Sequence, residues 1–268
     1  MKKRIFTALF AVLLAAVIIP GADAVSLVVD NVPVTENVVL YNSTTYVPLR
    51  AASTLLNSGA KVSWANGQAS VTAAGLSLTA RPGDMYMQAN GRMLYAAEGI
   101  KLVNGTTLVP IRALAKAFGA SVSWNDAAQQ AVVSRGGGTI ASGDRYYDSD
   151  AVYWLSRIIH AESSGESLKG KVGVGNVILN RVASSSYPNT IYDVIFDTKY
   201  GTQFQPVSNG TIYNTPSEES VLAAKLCLDG ASVVGSSLYF FNPAIASSSW
   251  ISQNRAYVAT IGNHQFYA

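Results

Sequence analysis

The sequence has little of three things: cysteine, histidine and charge. One cysteine, Cys227, excludes an intramolecular disulfide, so the core must be stable without cross-links. The two histidines do not form the three-ligand spacing of a catalytic zinc site, so we expect neither a metal nor a cofactor. No apolar run after Ile19 reaches the roughly 20 residues that span a bilayer.

A basic excess is also missing from most of the chain. The formal net charge is +3, but Lys2, Lys3 and Arg4 supply three of the 19 basic residues. The remainder is close to neutral, which argues against a nucleic-acid partner. Charged residues are only 13% of the chain. Such a surface suits hydroxyl-rich ligands such as polysaccharides, although it suits any secreted protein equally.

The start of the chain has the layout of a cleavable secretory signal. A basic stub at Lys2–Arg4 precedes an apolar run from Ile5 to Ile19, and the small-residue triplet Ala22–Ala24 follows Pro20. The apolar run, about 15 residues, is too short to cross a bilayer. We therefore expect a signal peptide over residues 1–24, and a secreted protein with no membrane span after signal removal.

Residues 25–135 contain an internal repeat. The run Asn42–Ala51 (NSTTYVPLRA) returns as Asn104–Ala113 (NGTTLVPIRA), and each copy continues to a tryptophan, Trp64 or Trp124. Each copy predicts a hairpin strand, a helix that begins after a proline (residues 49–56 and 111–118), and a strand through the tryptophan. We therefore expect a small, duplicated α+β domain.

These motifs resemble the copper amine oxidase N-terminal-like domain, also called a stalk domain, of exported proteins of Gram-positive bacteria. Residues 25–135 contain neither His nor Cys, so they offer no plausible copper site. Arg50 and Arg112 occupy the same position in the two copies, where a binding role or a structural bond within each repeat would both fit. The resemblance indicates a non-catalytic adaptor, with room for a wall or protein partner.

The Gly- and Ser-rich residues 136–145 predict a flexible linker before a second domain over residues 146–268. In that domain Val152, Leu155 and Ile159 recur with the spacing of one helical face. Glu162 falls on or beside this face. A carboxylate so placed is poorly solvated, which raises its pKa and keeps it protonated. Protonation of a glycosidic oxygen requires such an acid; a glutamate that reaches back to water is the alternative.

Later patterns predict further elements. They are a short helix over residues 189–196, a strand and turn over residues 203–212, a helix from Ser217, and strands over residues 238–241 and 256–267.

The second domain resembles the spore cortex-lytic (SleB-type) cell wall hydrolase family over residues 150–268. The motifs that carry the resemblance are Ala161-Glu162, Gly165-Glu166, Gly170–Val174, Ile178–Val182, Gln203–Val207, Tyr239–Pro243 and Ile261–Tyr267. Lys171 departs from the glutamine that the family often has. The resemblance implies a lysozyme-like α+β fold with a small β-lobe, associated with the cell wall or the spore envelope.

The resemblance also implies a lytic transglycosylase that acts on peptidoglycan glycan strands. Glu162 would protonate the oxygen between N-acetylmuramic acid and N-acetylglucosamine, and would then act as the base that closes a 1,6-anhydro ring. A second catalytic carboxylate is then dispensable. The candidate substrate-binding residues are Glu166, Gln203, Phe204, Tyr239, Asn242, Asn263 and His264. Alternatively, Glu166 caps the next helix and the aromatic residues form the core of a β-lobe.

Two other functions stay open. A zinc-dependent N-acetylmuramoyl-L-alanine amidase would use His160 and His264 with Glu162, but His160-Ala161-Glu162 does not match a zinc motif. The second open function is that of a non-catalytic wall-binding protein, and the presence of Glu162 argues against it. Vegetative wall and spore cortex, during sporulation or germination, are both open as substrates.

Overall fold

The structure, a computed structural model, describes residues 23–24, 26–34, 38–199, 201–246 and 249–268. Most of the expected signal peptide, residues 1–22, lies outside the described residues. In the described ranges, no helix is long and apolar enough to cross a membrane.

The N-terminal half consists of strands and two short helices. Its strands are β1 (Asp23–Ala24), β2 (Ser26–Val29), β3 (Val32–Val34), β4 (Val39–Tyr41), β5 (Thr44–Pro48), β6 (Lys61–Ala65), β7 (Gln68–Ala73), β8 (Leu76–Ala80), β9 (Tyr86–Ala89), β10 (Arg92–Tyr95), β11 (Lys101–Val103), β12 (Thr106–Pro110), β13 (Ser121–Asn125) and β14 (Gln130–Ser134). Its helices are α1 (Leu49–Leu56) and α2 (Ile111–Ala117). Both helices begin directly after a proline, as the sequence predicts.

The strands of this half form three sheets, in the orders β1-β4-β5-β12-β11, β10-β9-β8-β7-β6 and β13-β14-β2-β3. Val47 on β5 lies opposite Val109 on β12, so the two repeat copies meet at equivalent positions in an antiparallel pair. The core between the sheets includes Val47, Leu78, Val109 and Leu114, all at most 1% exposed. Cleavage after Ala24 would remove β1, which pairs with β4.

The C-terminal half is mainly helical, with a small sheet. Its helices are α3 (Gly143–Tyr146), α4 (Ser149–Ser163), α5 (Leu168–Ala183), α6 (Ile191–Ile195), α7 (Gln205–Asn209), a 3₁₀ turn (Thr211–Tyr213), α8 (Glu218–Leu228) and α9 (Trp250–Asn254). Its strands are β15 (Tyr239–Phe241), β16 (Tyr257–Ile261) and β17 (His264–Tyr267), in the order β15-β17-β16. The protein is thus of the α+β class, as the sequence predicts.

Helices α4, α5 and α8 pack around one apolar core. Glycines on α5 allow this close approach: a Cβ at Gly175 would lie 2.6 Å from Cys227 Sγ, and one at Gly173 would lie 2.7 Å from Phe266 Cζ. These two glycines therefore serve packing. Cys227 itself is 3% exposed and acts as a small buried apolar residue.

The strand and turn predicted over residues 203–212 are wrong. This segment forms α7 and the 3₁₀ turn. Pro206 lies in the first turn of α7, where its missing N–H has no helical partner to lose. Gly210, with a φ of 81°, ends that helix. The predicted helices at residues 189–196 and from Ser217 are present as α6 and α8.

Part of the expected flexible linker is held against the N-terminal half. Ile140 is 8% exposed, and its N–H donates to the Ala117 carbonyl at 3.0 Å. Asn90 Nδ2 donates to the Ile140 carbonyl at 3.0 Å, and the Gly143 N–H donates to the Asn90 carbonyl at 2.8 Å. Composition favours flexibility here, but one apolar anchor and these bonds fix the segment.

Asp229, at the end of α8, joins the two halves. Its side chain is fully buried and accepts hydrogen bonds from Arg92 and Tyr147, while Lys116 Nζ lies 3.2 Å from Oδ1. The Met93 N–H donates to Oδ2 at 3.2 Å. Burial alone would raise the pKa of Asp229, but the hydrogen bonds from Arg92 and Tyr147 outweigh it and hold the pKa below its usual range.

We predict that Asp229→Asn lowers the free energy of unfolding by about 3 kcal/mol at pH 7, because it leaves the buried Arg92 without its counter-ion. The stabilisation by a carboxylate with a depressed pKa is complete above its unfolded value, about 3.9, and is lost as the pH falls through the folded value. In urea unfolding of the full chain, the difference in unfolding free energy between wild type and Asp229→Asn should therefore become smaller as the pH falls below about 3.9.

The matched control is Asp30→Asn, which breaks the exposed pair between Asp30 and Arg135 and should change the unfolding free energy little. Equal effects of the two substitutions would contradict the assignment of Asp229 as the junction between the halves.

Candidate active site

Helix α4 positions Glu162 near its C-terminal end. Asp148 caps the start of the helix by accepting from the Ala151 N–H at 2.8 Å. Leu155, Ile158 and Ile159 are fully buried, so the apolar face predicted from periodicity anchors this helix to the core. Glu162 follows on the same side, one residue before the last residue of the helix.

The surroundings of Glu162 favour its protonated form. Burial raises the pKa of Glu162 to about 7, although the positive charge of Arg181 acts in the opposite direction. Among the described residues, none donates a hydrogen bond to this carboxylate. The group is therefore a carboxylic acid that can exchange its proton near neutral pH.

Arg181 is the charged neighbour of Glu162. It lies on the buried face of α5, seven residues after Val174 and three after Ile178, and is 7% exposed. Its Nε donates to the Leu238 carbonyl at 2.8 Å, and Nη1 is buried with no hydrogen-bond partner in the described ranges.

Aromatic rings surround this guanidinium. The ring centroids of Tyr187, Phe204 and Tyr239 lie 5.0, 5.2 and 5.7 Å from its central carbon. These cation–π contacts hold the charge beside Glu162 without an acidic partner.

Glu162 and Arg181 lie in a cleft of about 840 Å³ between α4, α7 and the small sheet. The described residues that line it are His160, Ala161, Glu162, Ser164, Arg181, Gln203, Phe204, Gln205, Pro206, Asn209, Thr211, Asn214, Tyr239, Phe240, Phe241, Asn242, Ile245, Trp250, Ile251 and His264. Glu162 is the only carboxylate among these lining residues. The other polar groups are amides, hydroxyls, imidazoles and Arg181, as a site for an uncharged polar ligand requires.

The structure brings most of the predicted binding residues to this cleft. Gln203, Phe204, Tyr239, Asn242 and His264 line it together with Glu162. His264 Nδ1 is buried and has no partner among the described residues. Burial lowers the pKa of His264, against the effect of Glu166, and thus favours the neutral imidazole.

Glu166 and Asn263 are not among the lining residues. The Asn263 N–H and Nδ2 donate to the Glu166 carboxylate at 3.2 and 2.9 Å. The alternative that Glu166 caps α5 is wrong, because the N-cap is Ser167. The Glu166 carboxylate instead fixes the turn between β16 and β17, where a Cβ at Gly262 would clash with it.

His160 also lies at the cleft. Its Nδ1 is 3.4 Å from both the Ser217 nitrogen and Ser220 Oγ, so the ring contacts the start of α8. No three His, Cys, Asp or Glu side chains in the described part of the chain are placed to hold a metal ion together.

Sequence reasoning missed several lining residues, notably Asn209, Thr211, Asn214 and Trp250. They lie on α7, the 3₁₀ turn, the following loop and α9, elements that no apolar period marks. The misassigned strand over residues 203–212 hid the first two. Arg181 could have been found, because it is a charge on an apolar helical face, the same signal that identified Glu162.

Family models match both halves of the chain. Residues 165–267 match Cell Wall Hydrolase, and residues 28–133 match Copper amine oxidase N-terminal domain. The chain thus combines a cell wall hydrolase domain with a preceding copper amine oxidase N-terminal domain. Its relatives are described as spore cortex-lytic enzymes.

A spore cortex-lytic enzyme of Bacillus cereus is 39% identical over 120 residues, which are 45% of this chain and 45% of that protein. The enzyme of Bacillus subtilis is 33% identical over 120 residues, 45% of this chain and 38% of that protein. The match thus spans less than half the length of these curated relatives.

Two solved structures are also similar. The catalytic domain of the germination-specific lytic transglycosylase SleB from Bacillus anthracis is 37% identical, with 48% of this chain and all of that chain covered and a TM-score of 0.42. The catalytic domain of Bacillus cereus SleB is 38% identical, with 46% and 92% covered and a TM-score of 0.42.

We predict that Glu162→Gln stabilises the fold at alkaline pH. The pKa of Glu162 is raised above its unfolded value of about 4.3, so wild-type stability falls as the pH rises from that value to about 7, and the full penalty remains at higher pH. The thermal midpoint of the variant should exceed that of the wild type at pH 8, with a smaller difference at pH 4.5. A midpoint difference that does not depend on pH would contradict a buried, titrating Glu162.

Proposed function

We propose that the protein is a peptidoglycan lytic transglycosylase that cleaves bonds between N-acetylmuramic acid and N-acetylglucosamine, with Glu162 as the single acid and base. The observation that carries the proposal is a half-buried acid with a raised pKa in a polar cleft, with no second carboxylate among the described lining residues. A glycosidase that uses water normally needs a second carboxylate, whereas closure of a 1,6-anhydro ring does not.

The reaction would proceed through two proton transfers, the first from the Glu162 carboxyl group and the second back to it. Protonated Glu162 gives its proton to the glycosidic oxygen as the bond from that oxygen to the muramyl C1 breaks. The muramyl C6 oxygen then bonds to C1, and its proton passes to the Glu162 carboxylate. The side chain is thereby returned to its acid form and no water is consumed. A pKa of about 7 suits a group that must act first as an acid and then as a base.

Arg181 would assist between these two transfers. When Glu162 loses its proton, a carboxylate forms in a poorly solvated place, and the nearby guanidinium stabilises it. Arg181 forms no salt bridge with a described residue and its Nη1 is unpartnered, so its charge remains available for that interaction, although Asp197 also acts on it electrostatically. We propose that Arg181 positions and tunes Glu162.

Substrate binding would use the walls of the cleft. The rings of Tyr239 and Trp250 offer faces for pyranose stacking, and the buried Phe204 forms part of the wall. The amides of Gln203 and Asn242 can bond to acetamido and hydroxyl groups. His264 adds an unpartnered polar atom. These residue types favour a neutral glycan over a charged ligand.

The relatives support a proposal about the place of action. Because these are spore cortex-lytic enzymes, we propose spore cortex peptidoglycan as the substrate and the spore envelope as the location. The signal-like residues 1–24 support export across the membrane.

We predict that Glu162→Gln reduces cleavage of purified cortex peptidoglycan by at least about 100-fold, because Gln keeps the shape of Glu but cannot donate or accept the proton. Mass spectrometry of wild-type products should show 1,6-anhydro-muramic ends, which are one water lighter than reducing ends. The matched control is Glu218→Gln, the same change at an exposed position on α8, which should retain wild-type activity.

Three results would contradict this proposal. Near-normal cleavage by Glu162→Gln would remove the assigned acid. Reducing muramic ends would indicate hydrolysis by water, and free stem peptides would indicate an amidase.

A further inference from the structure

The N-terminal half contains two pockets built from equivalent residues of the repeat. Pocket A, about 320 Å³, is lined by Ser43–Thr45, Ile111, Arg112, Val122–Trp124 and Ala131, with Leu40. Pocket B, about 700 Å³, is lined at the equivalent positions by Gly105–Thr107, Leu49, Arg50, Val62–Trp64 and Ala69, together with further residues around α1. Both volumes fall in the range of roughly 300–1,000 Å³ that is typical of small-ligand sites.

The pairing of β5 with β12 explains this correspondence. Val47 opposes Val109, its equivalent in the other copy, so the antiparallel pair has a local two-fold axis. The axis places the Thr-Thr pair of each hairpin beside the arginine that follows the proline of the other copy. Each pocket therefore takes its threonines from one copy and its arginine and tryptophan from the other.

The shared side chains include several that the core does not need. Trp64 is 48% exposed, and Arg50, Arg112, Ser63 and Ser123 are also exposed. Arg112 donates to the Val122 carbonyl at 3.3 Å, whereas no hydrogen bond or ion pair involves the Arg50 guanidinium in the described ranges. Packing alone does not account for the exposed Trp64 indole beside the exposed Arg50 guanidinium, whereas Trp124, the equivalent of Trp64, is half-buried against the core.

The chemistry of both pockets is the same. An indole face stacks on a pyranose ring, hydroxyls of Thr and Ser bond to sugar hydroxyls, and a guanidinium binds a carboxylate through two parallel hydrogen bonds. Neither pocket has a carboxylate among its described lining residues, so a negatively charged ligand meets no repulsion there.

We propose that pockets A and B bind peptidoglycan, with an amino-sugar ring on the tryptophan and a stem-peptide carboxylate on the arginine. Neither pocket shares a lining residue with the cleft around Glu162. The binding role therefore goes beyond the proposed reaction and does not depend on it.

The experiment follows each tryptophan separately by fluorine NMR of the full chain labelled with 5-fluorotryptophan. The four signals are assigned with single Trp→Phe variants, and Glu162→Gln prevents turnover of the ligand. The probe is a disaccharide tetrapeptide from bacterial wall, compared with chitotetraose and with the free tetrapeptide. We expect the disaccharide tetrapeptide to shift the Trp64 and Trp124 signals saturably, and each of the other two probes to bind more weakly.

Single substitutions then test the arginines. Arg50→Gln should weaken binding at Trp64 about tenfold and leave Trp124 unchanged, because a hydrogen bond to a charged group is lost in pocket B alone. Arg112→Gln should have the converse effect. Arg135→Gln, an exposed arginine outside both pockets, is the matched control and should change neither.

Two results would overturn the proposal. One is the absence of shifts at Trp64 and Trp124. The other is binding of the free tetrapeptide as tight as that of the disaccharide tetrapeptide, which would make the pockets peptide sites. The Trp250 signal reports the cleft separately, so failure of the pockets and failure of the proposed reaction are distinguishable.

Discussion

The candidate active site depends on one electrostatic constraint, the partial burial of a carboxylate on an apolar helical face. Glu162 lies on α4, and the buried Leu155, Ile158 and Ile159 fix the position of that helix against the core. Desolvation raises its pKa to about 7, and Arg181 limits the rise. The closeness of α5 to α4, which the small Gly175 allows, brings this guanidinium within range. The packing of α4 on α5 thus determines both the position of Glu162 and the charge beside it.

The small sheet forms one wall of the cleft, and the carboxylate of Glu166 holds a turn of this sheet in place. Glu166 is four residues from Glu162, yet its oxygens bind Asn263 and fix the turn between β16 and β17. That turn leads into β17, whose first residue, His264, lines the cleft. Two glutamates on adjacent turns of chain therefore differ in role, because Glu166 accepts hydrogen bonds from Asn263 whereas desolvation raises the pKa of Glu162.

The sequence predicts helices and strands best where one local signal is sufficient to identify the element. Proline before α1 and α2, Ser217 before α8 and the apolar period of α4 each identify an element that the structure contains. Local rules fail at residues 203–212, where β-like composition is overridden by Pro206 in a helical first turn. They also fail for the linker, because the anchor at Ile140 is a tertiary contact with Ala117 and Asn90.

The residues of the candidate site also fall into two groups: one that a local sequence pattern identifies, and one that only tertiary packing identifies. Glu162 can be found from periodicity, because a charge on an apolar face is visible in one helix. The partnership with Arg181 needs the packing of α4 on α5, and the roles of Glu166 and Asn263 need the position of β17, which no local pattern contains. The junction through Asp229 is similarly invisible, since Arg92 and Asp229 are 137 residues apart in the chain.

The most direct test of the central claim is a measurement of the pKa of Glu162 itself. In a ¹³C NMR titration of the side-chain carboxyl groups, the resonance that disappears in Glu162→Gln belongs to this residue. We expect this carboxyl group to titrate with a pKa of about 7. A pKa near the ordinary glutamate value of about 4.3 would contradict it, because Glu162 would then be ionised at neutral pH and could not serve as the acid.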